Sequence, residues 1–316
     1  MNVFTFQNPI YSLLSSTRPN AFERFLDALH VEMEEPPLFG WFHWFWIALT
    51  LLSCVLVCLY AKNLSAKQVR VIVGSVAVLL LVLEGYKQLD FSYNPSEDTW
   101  NYNWGAFPVQ FCSTPMYIMA LAAVWKKGKV QNALYAFLAT YGMFAGVLVL
   151  VYPESVFCSY LFINLQTMIH HCLMIIIGVL LFACGSVKIK HKTVLYGAPV
   201  FTVLLLLACV MNTLYASYGD LSHNFNMFYI AVYPHTHAPL AFLDELMRAV
   251  PYFLVPISYG LGFTAAGWLI AASGMLIVKI KARALQAIKS ERAEPNKAMA
   301  DEANNASEKL SEDEKL

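Results

Sequence analysis

Seven stretches of this chain are each long and apolar enough to cross a hydrocarbon core, which takes about 20 residues of helix. They fall at about 42–61, 70–88, 106–125, 131–152, 156–184, 194–216 and 250–279. Runs of this length define the expected fold class: an all-α, polytopic membrane protein with seven transmembrane helices. Composition agrees, with 58% hydrophobic and 13% charged residues in a chain of 316. That is about half the charged share of a soluble domain. A formal net charge of zero gives no electrostatic case for a nucleic-acid partner. Most of the seven cysteines (Cys54, Cys58, Cys158, Cys172, Cys184 and Cys209) sit in apolar runs. There a thiol behaves as a small hydrophobe, and no disulfide framework is expected.

The basic residues orient the spans. Lys62, Lys67 and Arg70, then Lys126, Lys127 and Lys129, then Lys188, Lys190 and Lys192 fall in alternate loops, and eight more follow from residue 279. With seven spans, 17 of the 21 Lys and Arg lie on one side, leaving Arg18, Arg24, Lys87 and Arg248 on the other. The positive-inside rule then predicts an outside N-terminus and a cytoplasmic C-terminus.

Three regions follow from the pattern. Residues 1–40 read as an extracytoplasmic segment without the features of a cleavable signal peptide. Within it, "NAFERFLDALHVEME" predicts an interfacial amphipathic helix, with Asn20 as cap, Glu23 at the capping-box position, and Phe22, Phe25, Leu26 and Leu29 on one face. Residues 41–282 hold the seven spans, and 283–316 read as a partly disordered cytoplasmic tail rich in Ala, Glu, Lys, Ser and Asn.

Polar groups in lipid are costly and tend to face a protein interior. Glu84 lies near the outer end of the second span and Gln110 and Cys112 near the outer end of the third. Asn164, Gln166, Thr167, His170 and His171 lie in the outer part of the overlong fifth, and Asn212 near the outer end of the sixth. All of them therefore fall in one half of the bilayer. Gln166 and His170 share one helix face, while Asn164, Thr167 and His171 share an adjacent one. This pattern predicts a polar cavity in the bundle, with Cys112 and a span-five histidine at matching depth as a nucleophile and its base. The ordinary readings stand beside it: a cysteine in a membrane helix is usually packing, a histidine pair can serve interhelical hydrogen bonding, and Glu84 can snorkel to the interface. A metal reading is disfavoured, since adjacent histidines diverge by about 100° on a helix. The loop histidines His223, His235 and His237 add only a weak "HTH" signal, so no metal and no cofactor is expected.

The connection 217–249 is long enough for a lid or binding element. Its "NFNMFYI" is apolar enough to dip back toward the bundle. Four features in order carry a resemblance: Pro108 to Cys112 in span three, His170-His171 in span five, Asn224 to Pro234 in the outer loop, and Pro251-Tyr252 at the start of the last span. Over about residues 40–280 the chain resembles the YwaF family of integral membrane proteins, which is related to a eukaryotic multi-pass lipid acyltransferase, transmembrane protein 164. The resemblance implies a Cys/His acyltransferase of membrane phospholipids, with Cys112 carrying an acyl thioester and His170 or His171 as base. The residues expected to meet substrate are Glu84, Gln110, Asn164, Gln166, Asn212 and Asn226. Gln110 is a departure, because bacterial relatives are expected to carry a histidine there, and glutamine cannot act as a base. The expected partners are membrane lipids and the expected location is a bacterial cell membrane. If water takes the acyl group, the protein is instead a lipid hydrolase. The competing class is a non-catalytic transporter or lipid-binding membrane protein that uses the same polar cavity.

Overall fold

The computed structural model describes residues 20–97, 99–125, 127–153, 156–219, 225–231, 245, 249–277 and 279. Arg18, His223, Asn224, Pro234, His235, His237, Arg248 and the tail from 283 lie outside the described residues, so the expectations placed on them are untouched. The helices are α1 (Ala21–Leu29), α2 (Trp41–Tyr60), α3 (Ala66–Asp90), α4 (Thr114–Val124), α5 (Lys129–Val151), α6 (Leu161–Ala183), α7 (His191–Tyr218) and α8 (Leu254–Ile277). A two-stranded antiparallel hairpin, β1 (Tyr93–Asn94) and β2 (Thr99–Trp100), follows α3.

Among the described residues six helices, α2, α3, α5, α6, α7 and α8, are long and apolar enough to cross a membrane. The stretch expected as a third full span is different. Its helix is only Thr114–Val124, and residues 107–113 form turns. Proline explains the change. A helix entering at 106 would hold Pro115 in its interior, where a hydrogen bond is lost and the ring meets the carbonyl four residues back, at about 3 kcal/mol. Starting at Thr114 puts Pro115 in the first turn instead, where its missing N–H costs nothing. The turns are closed by Ser113 and Thr114 N–H donating to the Gln110 carbonyl (2.9 and 3.1 Å) and by the Tyr117 hydroxyl donating to the Pro108 carbonyl (3.0 Å).

The N-terminal helix forms as its cap predicts. Asn20 Oδ1 accepts from Phe22 and Glu23 N–H, and Glu23 Oε2 accepts from Asn20 N–H at 2.7 Å. Glu23 is also buried, and its other oxygen accepts from the Trp100 indole at 3.1 Å, which docks α1 on the hairpin. Beyond α1 the chain clasps the loop before α6: Met33 N–H donates to Ser159 O and Leu161 N–H to Val31 O, both at 2.9 Å.

Helix α6 is the centre of the bundle. It packs against α2, α3 and α5, while α4 lies along α3 and α7 along the first half of α5. In α3 Asp90 is buried at the helix end, and the buried side chains ahead of the last turn are Val69, Val73, Ala77, Leu80 and Glu84. Their 3.6-residue period puts Glu84 on the inward stripe, not on the lipid face. Glycines let α5 and α6 approach closely: a Cβ on Gly146 would lie 2.6 Å from the His171 carbonyl oxygen, and one on Gly178 would lie 2.7 Å from Met143 Cβ. Small residues of this kind commonly seat one membrane helix on another, and here they set the height of His171.

Gly146→Val is expected to cost about 1–3 kcal/mol by forcing the two helices apart, read as a lowered unfolding midpoint of purified protein in detergent. Gly85, where a Cβ meets nothing within 4 Å, gives the control. Gly85→Ala should leave the midpoint unchanged or slightly raised, and equal losses at both positions would contradict the close-approach account.

Candidate functional site

Where the C-terminal end of α3 faces the N-terminal half of α6, the bundle holds a cavity of about 400 Å³. Its walls come from five pieces of chain: Glu84 and Lys87 on α3, the segment 103–106, the turn with Gln110, Cys112 and Ser113, the loop residues 156–158, and Gln166, Thr167, His170 and His171 on α6. Tyr229 from the long connection also lines it. Cys112 is partly exposed to this space, whereas Ser113 and both histidines are buried. The broken start of α4 has a direct consequence here, because a turn can present a thiol and a carbonyl to a cavity where a continuous helix would not.

The histidines can be assigned by what they touch. His170 Nε2 lies 3.0 Å from the Cys112 main-chain carbonyl, and His171 Nδ1 lies 2.7 Å from the Thr167 carbonyl. A carbonyl only accepts, so each of those ring nitrogens carries the proton. In the neutral imidazole the opposite nitrogen then holds a lone pair. Those nitrogens, His170 Nδ1 and His171 Nε2, are buried without a hydrogen-bond partner among the described residues. His43 makes the contrast. It is fully buried, its Nδ1 accepts from Phe39 N–H at 3.0 Å, and its Nε2 donates to Leu150 O at 2.7 Å. His43 is a satisfied structural histidine, while the α6 pair keeps two free acceptors.

Glu84 adds a third. Its Oε1 pairs with Lys87 Nζ at 2.7 Å and accepts from Gln88 Nε2 at 2.9 Å, but Oε2 has no partner among the described residues. Gln88 also donates to Ala106 O and accepts from the Tyr102 hydroxyl, which ties the cavity's rim to α3. Three buried acceptors around one space call for a ligand or water that brings donors. Among the described residues no group of three His, Cys, Asp or Glu is arranged to hold a metal ion.

Gln110 has a structural task. Its Nε2 donates to Asn226 O at 2.8 Å and its Oε1 accepts from Phe228 N–H at 3.0 Å. Asn212 does the same one residue along, donating to Met227 O (2.9 Å) and accepting from Met227 N–H (2.8 Å), and Asn226 Oδ1 accepts from Ala231 N–H at 2.8 Å. Two side-chain amides from separate elements thus replace a sheet partner for residues 226–228 and hold this part of the connection inside the bundle. Phe225, Met227, Phe228, Ile230 and Ala231 are buried in consequence. The dip expected of "NFNMFYI" is therefore present, although its flanks lie outside the described residues.

Six of the nine residues singled out from sequence line the cavity: Cys112, His170, His171, Glu84, Gln110 and Gln166. The other three do not. Asn164 caps the loop before α6, accepting from Cys158 N–H and donating to Cys158 O (3.0 and 2.7 Å), Asn212 spends both ends of its amide on the connection, and Asn226 spends its side-chain oxygen there. The sequence reading missed Lys87, Ser113 and Tyr229 as lining residues, while Thr167 belongs to the polar stripe expected to face a cavity. Lys87 carried a signal, being three residues from Glu84 on one helix face. Tyr229 carried only the dip expected of "NFNMFYI", with no periodicity to place its side chain.

A helical bundle whose apolar helices surround a half-open cavity lined by cysteine, histidine and carboxylate defines a polytopic membrane protein with a polar site between its helices. The family comparison makes this particular: the model of the TMEM164 family matches residues 38–269, and the chain belongs to that family. No curated protein matches the chain, and no solved structure does.

Gln110→Ala is expected to lower the unfolding midpoint in detergent by leaving Asn226 O and Phe228 N–H unpaired in the interior, a penalty of about 1–3 kcal/mol. Gln110→Glu keeps the acceptor for Phe228 N–H and should retain part of the stability. Wild-type midpoints in both variants would contradict the clamp.

Proposed function

We propose that this protein is a YwaF-type acyltransferase that moves fatty acyl groups between membrane phospholipids through a thioester on Cys112. The observation that carries the reading is the pairing at the cavity: the His170 ring is bonded to the Cys112 residue itself, and both α6 histidines keep a buried lone pair facing unmet chemistry.

The chain crosses the membrane seven times in this reading, with the N-terminus outside and the C-terminus in the cytoplasm. Support comes from the third segment. Ala106 is bonded to Gln88 and Ala123 abuts Gly74, positions that lie about 21 Å apart along α3 at 1.5 Å per residue. The turn and α4 together therefore cover most of the hydrocarbon depth, and the odd count agrees with the basic residues. The site then opens in the outer half of a cell membrane, taken to be bacterial, where lipids enter sideways between helices.

Cys112 loses its thiol proton to His170 Nδ1, and the thiolate attacks the ester carbonyl of a phospholipid. The C–S bond forms, the ester C–O bond breaks, and the departing alkoxide of the lysolipid recovers the proton from His170. A lipid hydroxyl then attacks the thioester, gives its proton to the same nitrogen, and frees the thiolate. His170 is favoured over His171 as base because its ring is fixed to the cysteine's own turn. His171 Nε2 and Glu84 Oε2 offer acceptors to the incoming hydroxyl. Gln110 takes no proton, so a glutamine in place of the expected histidine leaves this route intact.

Comparative lipidomics of cells expressing the intact protein or Cys112→Ala should reveal a shift in phospholipid acyl chains with the intact protein alone. Identical profiles at matched expression would count against transfer and favour a transporter or lipid-binding role. In parallel, maleimide labelling of Cys112 in purified protein should fall at least about 10-fold in His170→Ala. Undiminished labelling in both His170→Ala and His171→Ala would sink the pairing.

A further inference from the structure

Phe228 and Tyr229 are consecutive residues with φ of +60° and +56°. Left-handed backbone at a bulky residue costs on the order of 1–3 kcal/mol, and it persists only where the surroundings over-determine it. Here they do, since Gln110, Asn212 and Asn226 hold the segment with five side-chain-to-backbone hydrogen bonds. The Phe228 side chain is fully buried and packs edge-on to Phe111, next to Cys112, at 5.4 Å between ring centroids. The strained pair thus seats one ring in the core and leaves the next, Tyr229, on the cavity wall. An apolar plug would have met the packing need without two left-handed residues and without a phenol.

Cys112 and Tyr229 line the same cavity. The Tyr229 hydroxyl makes no hydrogen bond among the described residues. The free groups already noted there, His170 Nδ1, His171 Nε2 and Glu84 Oε2, are all acceptors. Attack of a thiolate on an ester creates a negative oxygen that needs a donor, and an acceptor cannot serve it.

We infer that Tyr229 is a catalytic residue, its phenol O–H donating a hydrogen bond to the oxyanion of the tetrahedral intermediate formed at Cys112. The inference rests on the acyl-transfer reading above. As the Cys112 sulfur bonds to the ester carbonyl carbon, the carbonyl π pair moves onto oxygen and is met by Tyr229. When the C–O bond to the leaving lysolipid breaks, the pair returns and the Tyr229 proton has never left. Burial holds the Tyr229 phenol above its ordinary value, so it remains a donor across the physiological range. The amide clamp then acquires a purpose: Gln110 is a positioning residue that aims Tyr229.

The test compares thioester formation on Cys112 in wild-type protein and Tyr229→Phe, both in vesicles of an alkyne-tagged phospholipid, with Cys112→Ala as blank. Phenylalanine keeps the ring and removes the donor. The single-turnover rate should fall about 100-fold in Tyr229→Phe, with the lipid concentration at half-maximal rate, the unfolding midpoint and maleimide labelling of Cys112 unchanged. A rate equal to wild type overturns the Tyr229 assignment alone. A rate loss matched by a lowered midpoint or lost labelling also overturns it, since Tyr229 would then be structural. Absence of any Cys112 thioester in the wild-type protein overturns the acyl-transfer reading and this assignment with it.

Discussion

One hydrogen bond joins the two halves of the site: His170 Nε2–H to the Cys112 carbonyl, at 3.0 Å across 58 residues of sequence. It fixes the turn that carries the thiol, and it fixes the tautomer of the ring. In water either nitrogen could hold the proton and either rotamer could serve. Inside a bundle, where an unpaired polar atom costs several kcal/mol, the carbonyl dictates the arrangement and the lone pair is left without a partner among the described residues, on a ring that lines the cavity. The histidine pair therefore reads as a site for a ligand rather than as a strut.

The same rule sorts the remaining polar residues. Buried amides that find backbone partners on both ends, as Asn164, Gln110 and Asn212 do, build the frame. Glu84, His170 and His171 each keep an unmet acceptor and all three line one cavity, and that coincidence marks where a ligand or water would bind. The frame is elaborate for its size because a turn, a loop and a returning connection all reach into the bundle. Non-helical backbone at such a position is tolerated only when protein covers it or it lines a cavity, and both conditions hold here.

The helical class and the ends of most long helices were legible from hydropathy alone, since membrane spans are set by length and apolarity. That Cys112, His170 and His171 fall at one level of the bundle was legible for the same reason, and the capping box at Asn20 was legible from its residues. Periodicity could not reveal that α4 starts eight residues late. That followed from Pro115, whose effect is local and steric, and an apolar window averages it away. Nor could it separate Asn164 from Gln166, two residues apart on one helix. The first meets the loop before α6 and the second the cavity, a difference that only packing decides. Glu84 was readable as inward from the Val69, Val73, Ala77 and Leu80 stripe, although the ordinary reading had sent it to the interface. The dip of Tyr229's segment was legible, but its place on the cavity wall was not, because that depends on amide clamps supplied by other elements.

The central claim is that Cys112 carries an acyl group, and peptide mass spectrometry tests it most directly. Purified protein incubated with phospholipid vesicles should yield the peptide containing Cys112 with an added fatty acyl mass, released by neutral hydroxylamine as a thioester and missing when His170 is replaced by alanine. An unmodified Cys112 peptide under conditions where the protein turns over lipid, or an acyl group found on another residue, would contradict it.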